Sequence, residues 1–400
     1  MHNLTRLAAV TALACLWFGQ AAAKGKYDEG ASDTEIRIGQ TVPYSGPASH
    51  AGVVGRIQTA YFRMVNEKGG INGRKVNLIS LDDHYSPPKT VEATRKLVEQ
   101  EGVLATFYSV GTAAQNAVQR YLAAKKVPQL MVGSGAAKWN NPKDYPWSTP
   151  SLALYSTEGR VFAKWLLKNK PDAKVAILMQ NDDVGRDFVS AFKEALGDKA
   201  KTMVVAEASY DFTDPTVDSQ MVKLASSGAN VFFNISIGKY ASQSMKKVGE
   251  INWDPLHYII SPSANAMLMK AAGEGGLKGA VSLQSNKRAG SPRWANDPDL
   301  QAYEAFRAKY TPTVNPGDDA GFYAYAGAAL LAELLRDCGD NLTRENLMKL
   351  ATNLNGRRTA YMLPGLTLST TPDNYEPITT FYMATYDGKD WQVPEKPFQD

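Results

Sequence analysis

The sequence predicts an α/β protein built as two doubly wound lobes, and three observations predict it. Short β-rich runs alternate with amphipathic helical patterns, which implies parallel sheets covered on both faces. The alternation breaks between Trp147 and Tyr155 and restarts at Lys174, so there are two series. The chain has 400 residues, and a single hydrophobic core stops growing at roughly 300.

Ahead of the first series, Arg6 precedes an apolar run from Leu7 to Phe18, and Ala21-Ala22-Ala23 precedes Lys24-Gly25-Lys26. That order is a secretory signal peptide, with cleavage expected after Ala23 and a periplasmic product carried across the inner membrane. The run is shorter than the roughly 20 apolar residues that span a bilayer, and no later segment approaches that length. Cys15 lies inside the run behind Ala12-Leu13-Ala14, a poor version of a lipoprotein signal. Cleavage leaves Cys338 as the remaining cysteine, without a disulfide partner in the chain, so core packing must hold the fold.

Ile36-Arg37-Ile38-Gly39 reads as the first strand. Val53, Val54, Ile57, Tyr61, Met64 and Val65 then share one helical face, stopped by Gly69-Gly70. Val76–Leu81 is a second strand, followed by a helix opened by Pro87-Pro88, where a missing N–H costs nothing, with Val91, Leu97 and Val98 inward. Val103–Tyr108, a helix through Ala114, Ala117, Val118, Tyr121 and Leu122, and Leu130–Val132 complete the first series. The second has strands at Lys174–Met179, Val204–Ala206, Val231–Asn234 and Tyr258–Ile260, with helices centred near Phe192, Met221 and Met245. Helical patterns near Leu300–Tyr310, Ala320–Leu335 and Arg344–Leu354 and a strand-like Ile378–Tyr386 supplement sheets already begun. No sequence repeat links the halves.

The 44 Lys and Arg nearly balance the 40 Asp and Glu. A nucleic-acid partner would leave a clustered basic face, so none is expected. The chain has no G-x-S-x-G elbow, H-E-x-x-H, C-x-x-C or phosphate loop. After cleavage His50, His84 and His257 are too scattered for a metal site. The expectation is a non-enzymatic protein without cofactor or metal.

Six local strings follow one another in order. Ile36-Arg37-Ile38-Gly39 leads to Pro43-Tyr44-Ser45-Gly46-Pro47, then to Asn66-Glu67-Lys68-Gly69-Gly70-Ile71-Asn72-Gly73. Asp82-Asp83 stands before the Pro-opened helix, Val127-Pro128 before a strand, and Gly133-Ser134-Gly135-Ala136-Ala137 after it. Together they resemble the leucine/isoleucine/valine-binding branch of the periplasmic binding proteins, the solute receptors of ABC transporters. The resemblance implies the type I fold, two α/β lobes joined by a three-segment hinge and closing over a ligand. It places the crossings near Tyr155, Leu283 and Leu366, with lobe I as residues 33–154 plus 284–365 and lobe II as 155–283 plus 366–400. It also implies a membrane permease and its ATPase as partners of a monomeric receptor. A ligand sensor on the same fold is the alternative role, and an exported hydrolase ranks third.

The cleft of such a fold lies at the C-terminal strand edges. There Tyr108-Ser109-Val110-Gly111-Thr112-Ala113 joins a strand to a helix, offering unpaired N–H groups and hydroxyls to an anion; Ser134-Gly135-Ala136 forms a second such turn. On this reading Ser109, Gly111, Thr112, Ser134, Gly135 and Ala136 hold a carboxylate, the competing account being that Ser and Thr simply cap helices. Within the resemblance, Ser263 stands where amino-acid-binding members carry the acidic residue for the ligand ammonium, and Ala137 replaces a second polar contact. A buried ammonium without its carboxylate costs several kcal/mol, which argues against a free amino acid. The family's aromatic wall positions are Ala51, Val184 and Ile237 here, while Tyr44, His50, Tyr155 and Phe233 offer a different lining. An aromatic or fatty carboxylate therefore ranks first as ligand, with branched-chain amino acids or amides second. Asp82-Asp83 and Asp182-Asp183 are read as helix caps or loop ties, Trp139, Trp147 and Trp165 as packing, and Cys338 as an inert buried thiol.

Overall fold

In the first series, β1 (Glu35–Val42) is an interior strand of a sheet, buried nearly throughout and paired on both sides. It pairs in parallel with β2 (Lys75–Asp82) on one side and β3 (Ala105–Phe107) on the other; β4 (Gln129–Val132) and β5 (Ser148–Pro150) extend the sheet, giving the order β2-β1-β3-β4-β5. The structure is a computed structural model describing residues 25–46, 48–273 and 277–398. The signal peptide, Cys15 and Pro47 lie outside the described residues. Helices α1 (Gly52–Glu67), α2 (Pro87–Arg95) and α3 (Thr112–Ala124) make the crossovers. The pattern placed Val91, Leu97 and Val98 on one helix, but a π turn, Lys96–Gln100, takes over after α2 and buries Leu97 and Val98.

The second series repeats the plan. After α4 (Tyr155–Asn169) come β6 (Val175–Gln180), α5 (Asp183–Leu196), β7 (Val204–Tyr210), α6 (Asp218–Ala225), β8 (Val231–Ile235), α7 (Lys239–Glu250), β9 (Leu256–Ile259), α8 (Ala266–Ala272) and β10 (Val281–Gln284). The five strands are parallel in the order β7-β6-β8-β9-β10. Alternation along β6 shows how both faces are covered: Val175 and Ile177 join the core containing Phe162, Phe188 and Phe192, while Ala176 and Leu178 join Met221 and Tyr240 on the other face.

Helices α9 (Pro298–Tyr310), α10 (Asp319–Cys338) and α11 (Arg344–Ala351) return to the first sheet, where α10 packs on α1 and Gln58 Nε2 donates to the Ala324 carbonyl at 3.2 Å. Strands β11 (Tyr382–Tyr386) and β12 (Trp391–Gln392) then add antiparallel to β10. The chain leaves the first sheet after Pro150 and the second after Gln284, and rejoins the second before Tyr382. Two of these passing segments are tied together: Lys287 N–H donates to Tyr361 O at 2.7 Å and Leu363 N–H to Ser285 O at 2.9 Å.

Both sheets thus have the strand order 2-1-3-4-5, with a switch point between β1 and β3 in one and between β6 and β8 in the other. Connections leave a switch point in opposite directions and open a crevice beyond the strand C-termini, where ligands bind in open α/β sheets.

Candidate functional site

At the first switch point the chain passes from β3 through Tyr108, held at φ 50°, to Gly111 at φ 110°, before α3 begins. A Cβ on Gly111 would stand 2.9 Å from the Tyr85 ring, so both conformation and space require glycine. The Thr112 and Ser134 hydroxyls lie 2.7 Å apart, and Ser134 Oγ also accepts from the Ala136 N–H at 3.2 Å. Against them sits Tyr155, the first residue of α4. Its ring lies so close to Gly135 that a Cβ there would be 2.8 Å from the ring and 2.2 Å from the Ala153 carbonyl. Burial raises the Tyr155 phenol pKa, opposed by the Gly135 N–H and the Thr112 and Ser134 hydroxyls. The structure therefore brings Gly111, Thr112, Ser134, Gly135, Ala136 and Tyr155 together, and the niche read as a carboxylate site holds a phenol.

The other residues singled out in the sequence are dispersed. Ser109 Oγ accepts the Thr41 N–H at 3.0 Å, tying β1 to the turn after β3. Tyr44 bonds Ser80 at 2.7 Å and borders an outer groove with Arg56 and Arg63. His50 belongs to a 3-10 turn, Ser49–Ala51, and burial lowers its pKa. Val184 is fully buried behind the Asp182 cap of α5, and Ile237 donates its N–H to the Tyr210 hydroxyl at 3.0 Å. Ser263 donates to the Ser236 carbonyl at 2.6 Å, and Phe233 lies in the aromatic core beside Phe162 and Tyr258. Asp82 accepts from Tyr44, Ser45 and His84, and Asp83 from Tyr85 and Thr90, so both tie loops. Trp139 is fully buried, and burial pushes the Cys338 thiol up to about 11.

The C-terminal edges of the two sheets face each other. The Ala137 N–H donates to Asp187 Oδ2 at 2.7 Å, Lys138 pairs with Asp183 at 2.9 Å, and the Tyr85 ring meets Phe212 with centroids 4.6 Å apart. Further in, toward the passing segments, lies a cavity of about 210 Å³. The first lobe contributes Ala51, Val54, Tyr108, Val110 and Tyr323, the loop after β9 contributes Ser261, Pro262 and Asn265, the end of β10 contributes Leu283 and Gln284 and the segment behind it Arg288, with Tyr361 and Ile378 from the last pass. Of the residues chosen from sequence, Ala51 lines it.

The polar groups on this wall are organised. Gln284 Oε1 accepts from Arg288 Nε at 2.8 Å and from Nη2, and Arg288 Nη1 reaches Asp319 Oδ2 at 3.4 Å. Asp319 Oδ1 accepts the Ala289 N–H at 2.7 Å; burial raises its pKa, against the pull of Arg288. Across the cavity, Glu158 accepts from the Ser261 N–H and hydroxyl at 2.8 and 2.7 Å and from the Tyr258 hydroxyl at 2.9 Å. Burial pushes Glu158 up to about 7 despite these donors. Sequence reasoning missed Gln284 and Glu158 because no element was assigned at β10 or α4, and Arg288 and Asp319 because only the tertiary fold brings that segment to the start of α10. Among the described residues no group of three or more His, Cys, Asp or Glu side chains could hold a metal, and no helix is long and apolar enough to cross a membrane.

Two sheets whose parallel strands share one topology, facing each other across a cavity and linked by hydrogen-bonded passing segments, define a two-lobed solute-binding protein. The chain belongs to the periplasmic binding protein family, whose model matches residues 35–390, and is of its type I class; the family is non-enzymatic. A Leu/Ile/Val-binding protein homologue of Brucella melitensis is 29% identical over 248 residues; the match covers 58% of this chain and spans 60% of that relative's length. A branched-chain amino acid ABC transporter protein from Thermus thermophilus with bound valine has a TM-score of 0.81 at 16% identity, covering 92% of this chain and 98% of that one. A solute-binding protein from Rhodopseudomonas palustris BisB5 in complex with 3,4-dihydroxybenzoic acid has a TM-score of 0.76 at 17% identity, covering 91% and 97%. At these identities the structural likeness is one of fold.

Proposed function

We propose that the protein is the periplasmic solute-binding component of an ABC importer. It captures a small carboxylate, aromatic or aliphatic, between its lobes and presents the closed form to a membrane permease and its ATPase. The carrying observation is the composition of the interlobe cavity: phenols of Tyr108, Tyr323 and Tyr361, apolar Val54, Leu283 and Ile378, and the buried guanidinium of Arg288. Largely apolar walls with a few placed polar groups are the usual make-up of a small-molecule site.

The same lining disfavours a free amino acid. Its one carboxylate, Asp319, is already engaged by Arg288 and the Ala289 N–H, and Ser263 is turned toward the Ser236 carbonyl. An ammonium desolvated there would lack a counter-charge, at a cost of several kcal/mol. Closure follows from differential binding, since a solute favours the closed form only as far as it binds that form better. The Ala137–Asp187, Lys138–Asp183 and Tyr85–Phe212 contacts are the ones such closure would make and break.

Thermal unfolding with benzoate, 3,4-dihydroxybenzoate, octanoate, the matching amides, leucine and valine tests the reading. A carboxylate at about 100 times its Kd should add about 2.7 kcal/mol, with clear upward shifts for one or more acids and none for leucine or valine. Stabilisation by leucine or valine with none by the acids would sink the carboxylate assignment.

A further inference from the structure

We propose that the solute's carboxylate is anchored where β10 runs into the passing segment behind it, through Gln284 and Arg288, and not by a helix start. The inference rests on the carboxylate reading above and adds the residues that enforce it. Gln284 is 2% exposed, and its amide orientation is dictated by its neighbour. A guanidinium carries donors only, so the oxygen of Gln284 must face Arg288 Nε and Nη2, as it does. The amide nitrogen is thereby left as a donor, and Gln284 Nε2 is buried without an acceptor. Among the described residues it is the one unpartnered buried side-chain atom that belongs to the lining of the interlobe cavity.

A buried donor left unpaired costs about 1–3 kcal/mol, and native proteins leave few of them without a reason. An acceptor that arrives with the solute supplies the reason. The neighbouring guanidinium selects among acceptors by its charge, since its Nε and Nη2 are on Gln284 Oε1 and its Nη1 on Asp319 while the positive charge still favours an anionic acceptor beside the Gln284 amide. Its contact with Asp319 is 3.4 Å, so Arg288 can stay paired with Asp319 while its charge also acts on a carboxylate entering the cavity. Elsewhere on the wall the polar groups are committed: Ser261 to Glu158, and Asp319 Oδ1 to the Ala289 N–H.

The segment is also held from outside. Buried Lys287, between the two anchor residues in sequence, pairs with Asp297 at 2.7 Å and Asp299 at 3.0 Å, and its N–H bonds Tyr361 O. Gln284 and Arg288 are thus presented by a braced strand that joins the lobes, so the solute grips the joint itself.

The test is calorimetric titration of the wild type, Gln284→Glu and Gln284→Met with the tightest carboxylate among benzoate, 3,4-dihydroxybenzoate and octanoate, and with its amide. Gln284→Glu keeps an acceptor for Arg288, removes the donor and sets a negative charge beside the solute. It should melt no lower than the wild type yet bind the carboxylate about tenfold or more weakly, and the wild-type preference for acid over amide should shrink. Gln284→Met, of similar length, removes the donor without adding charge and should also weaken the acid, which keeps the readout if the Glu variant folds poorly. Wild-type affinity for the acid in both variants overturns the anchor while leaving the carboxylate reading standing. Failure of the wild type to bind any of the three acids overturns both.

Discussion

The start of α3 and the end of β10 with the segment behind it are both polar, both buried and both at the boundary between the lobes, yet they are left in opposite states. At the helix start the Thr112 and Ser134 hydroxyls bond each other, Ser134 takes the Ala136 N–H, and the Tyr155 phenol closes the space. At the end of β10, Gln284 keeps a donor without an acceptor beside the guanidinium of Arg288. What marks a ligand contact is an unmet hydrogen-bonding demand, and the mere presence of hydroxyls and glycines at a turn does not create one.

Three experiments press on that contrast. The largest effect is expected at Arg288, whose replacement by Ala leaves Asp319, 3% exposed, as a buried carboxylate without its cation. Urea denaturation should show a loss of about 3–5 kcal/mol, and a loss no greater than that of an exposed substitution would mean the pair holds nothing together. Glu158 comes next. Its pKa is about 7 in the fold against 4.5 in the unfolded chain, so the folded state binds the extra proton between those values. The contribution is fully present below pH 4.5 and is lost as pH rises through 7, by up to about 3 kcal/mol. Glu158→Gln should flatten that part of the stability–pH curve between pH 5 and 8, and an unchanged slope would count against a protonated Glu158 behind Ser261. The smallest effect belongs to Thr112→Ala. Loss of one buried hydrogen bond should cost about 1 kcal/mol of stability with solute affinity unchanged by titration. A tenfold fall in affinity would move the anchor back to the helix start.

Much of the fold was legible because parallel strands buried on both faces read as apolar runs between amphipathic helices. The strands through Ile36, Val76, Leu130, Ile177 and Phe233 fall where the alternation put them. β5 was not legible, since Ser148-Thr149-Pro150 has no apolar run although all three residues are buried. α4 carries Phe162, Ala163 and Leu166 at helical spacing, but it lies between the crossing that ends at Tyr155 and the restart at Lys174, where no element was assigned. The site was less legible than the fold. Gly135 and Thr112 announce turns, which local sequence records. The Arg288–Asp319 pair and the cavity it borders join residues brought together only by the return of α10 to the first sheet. Tyr155 was singled out as lining, and the structure makes it the occupant of the niche it was expected to border.

That phenol has a mechanical consequence. Tyr155 heads α4 directly after the chain leaves the first sheet, so its ring is a peg carried by one half of the molecule and seated in a socket of Thr112, Ser134 and Gly135 on the other. A motion that parted the two sheets would have to draw this ring from its socket, so a tyrosine would bear part of the cost of opening before any cargo arrives.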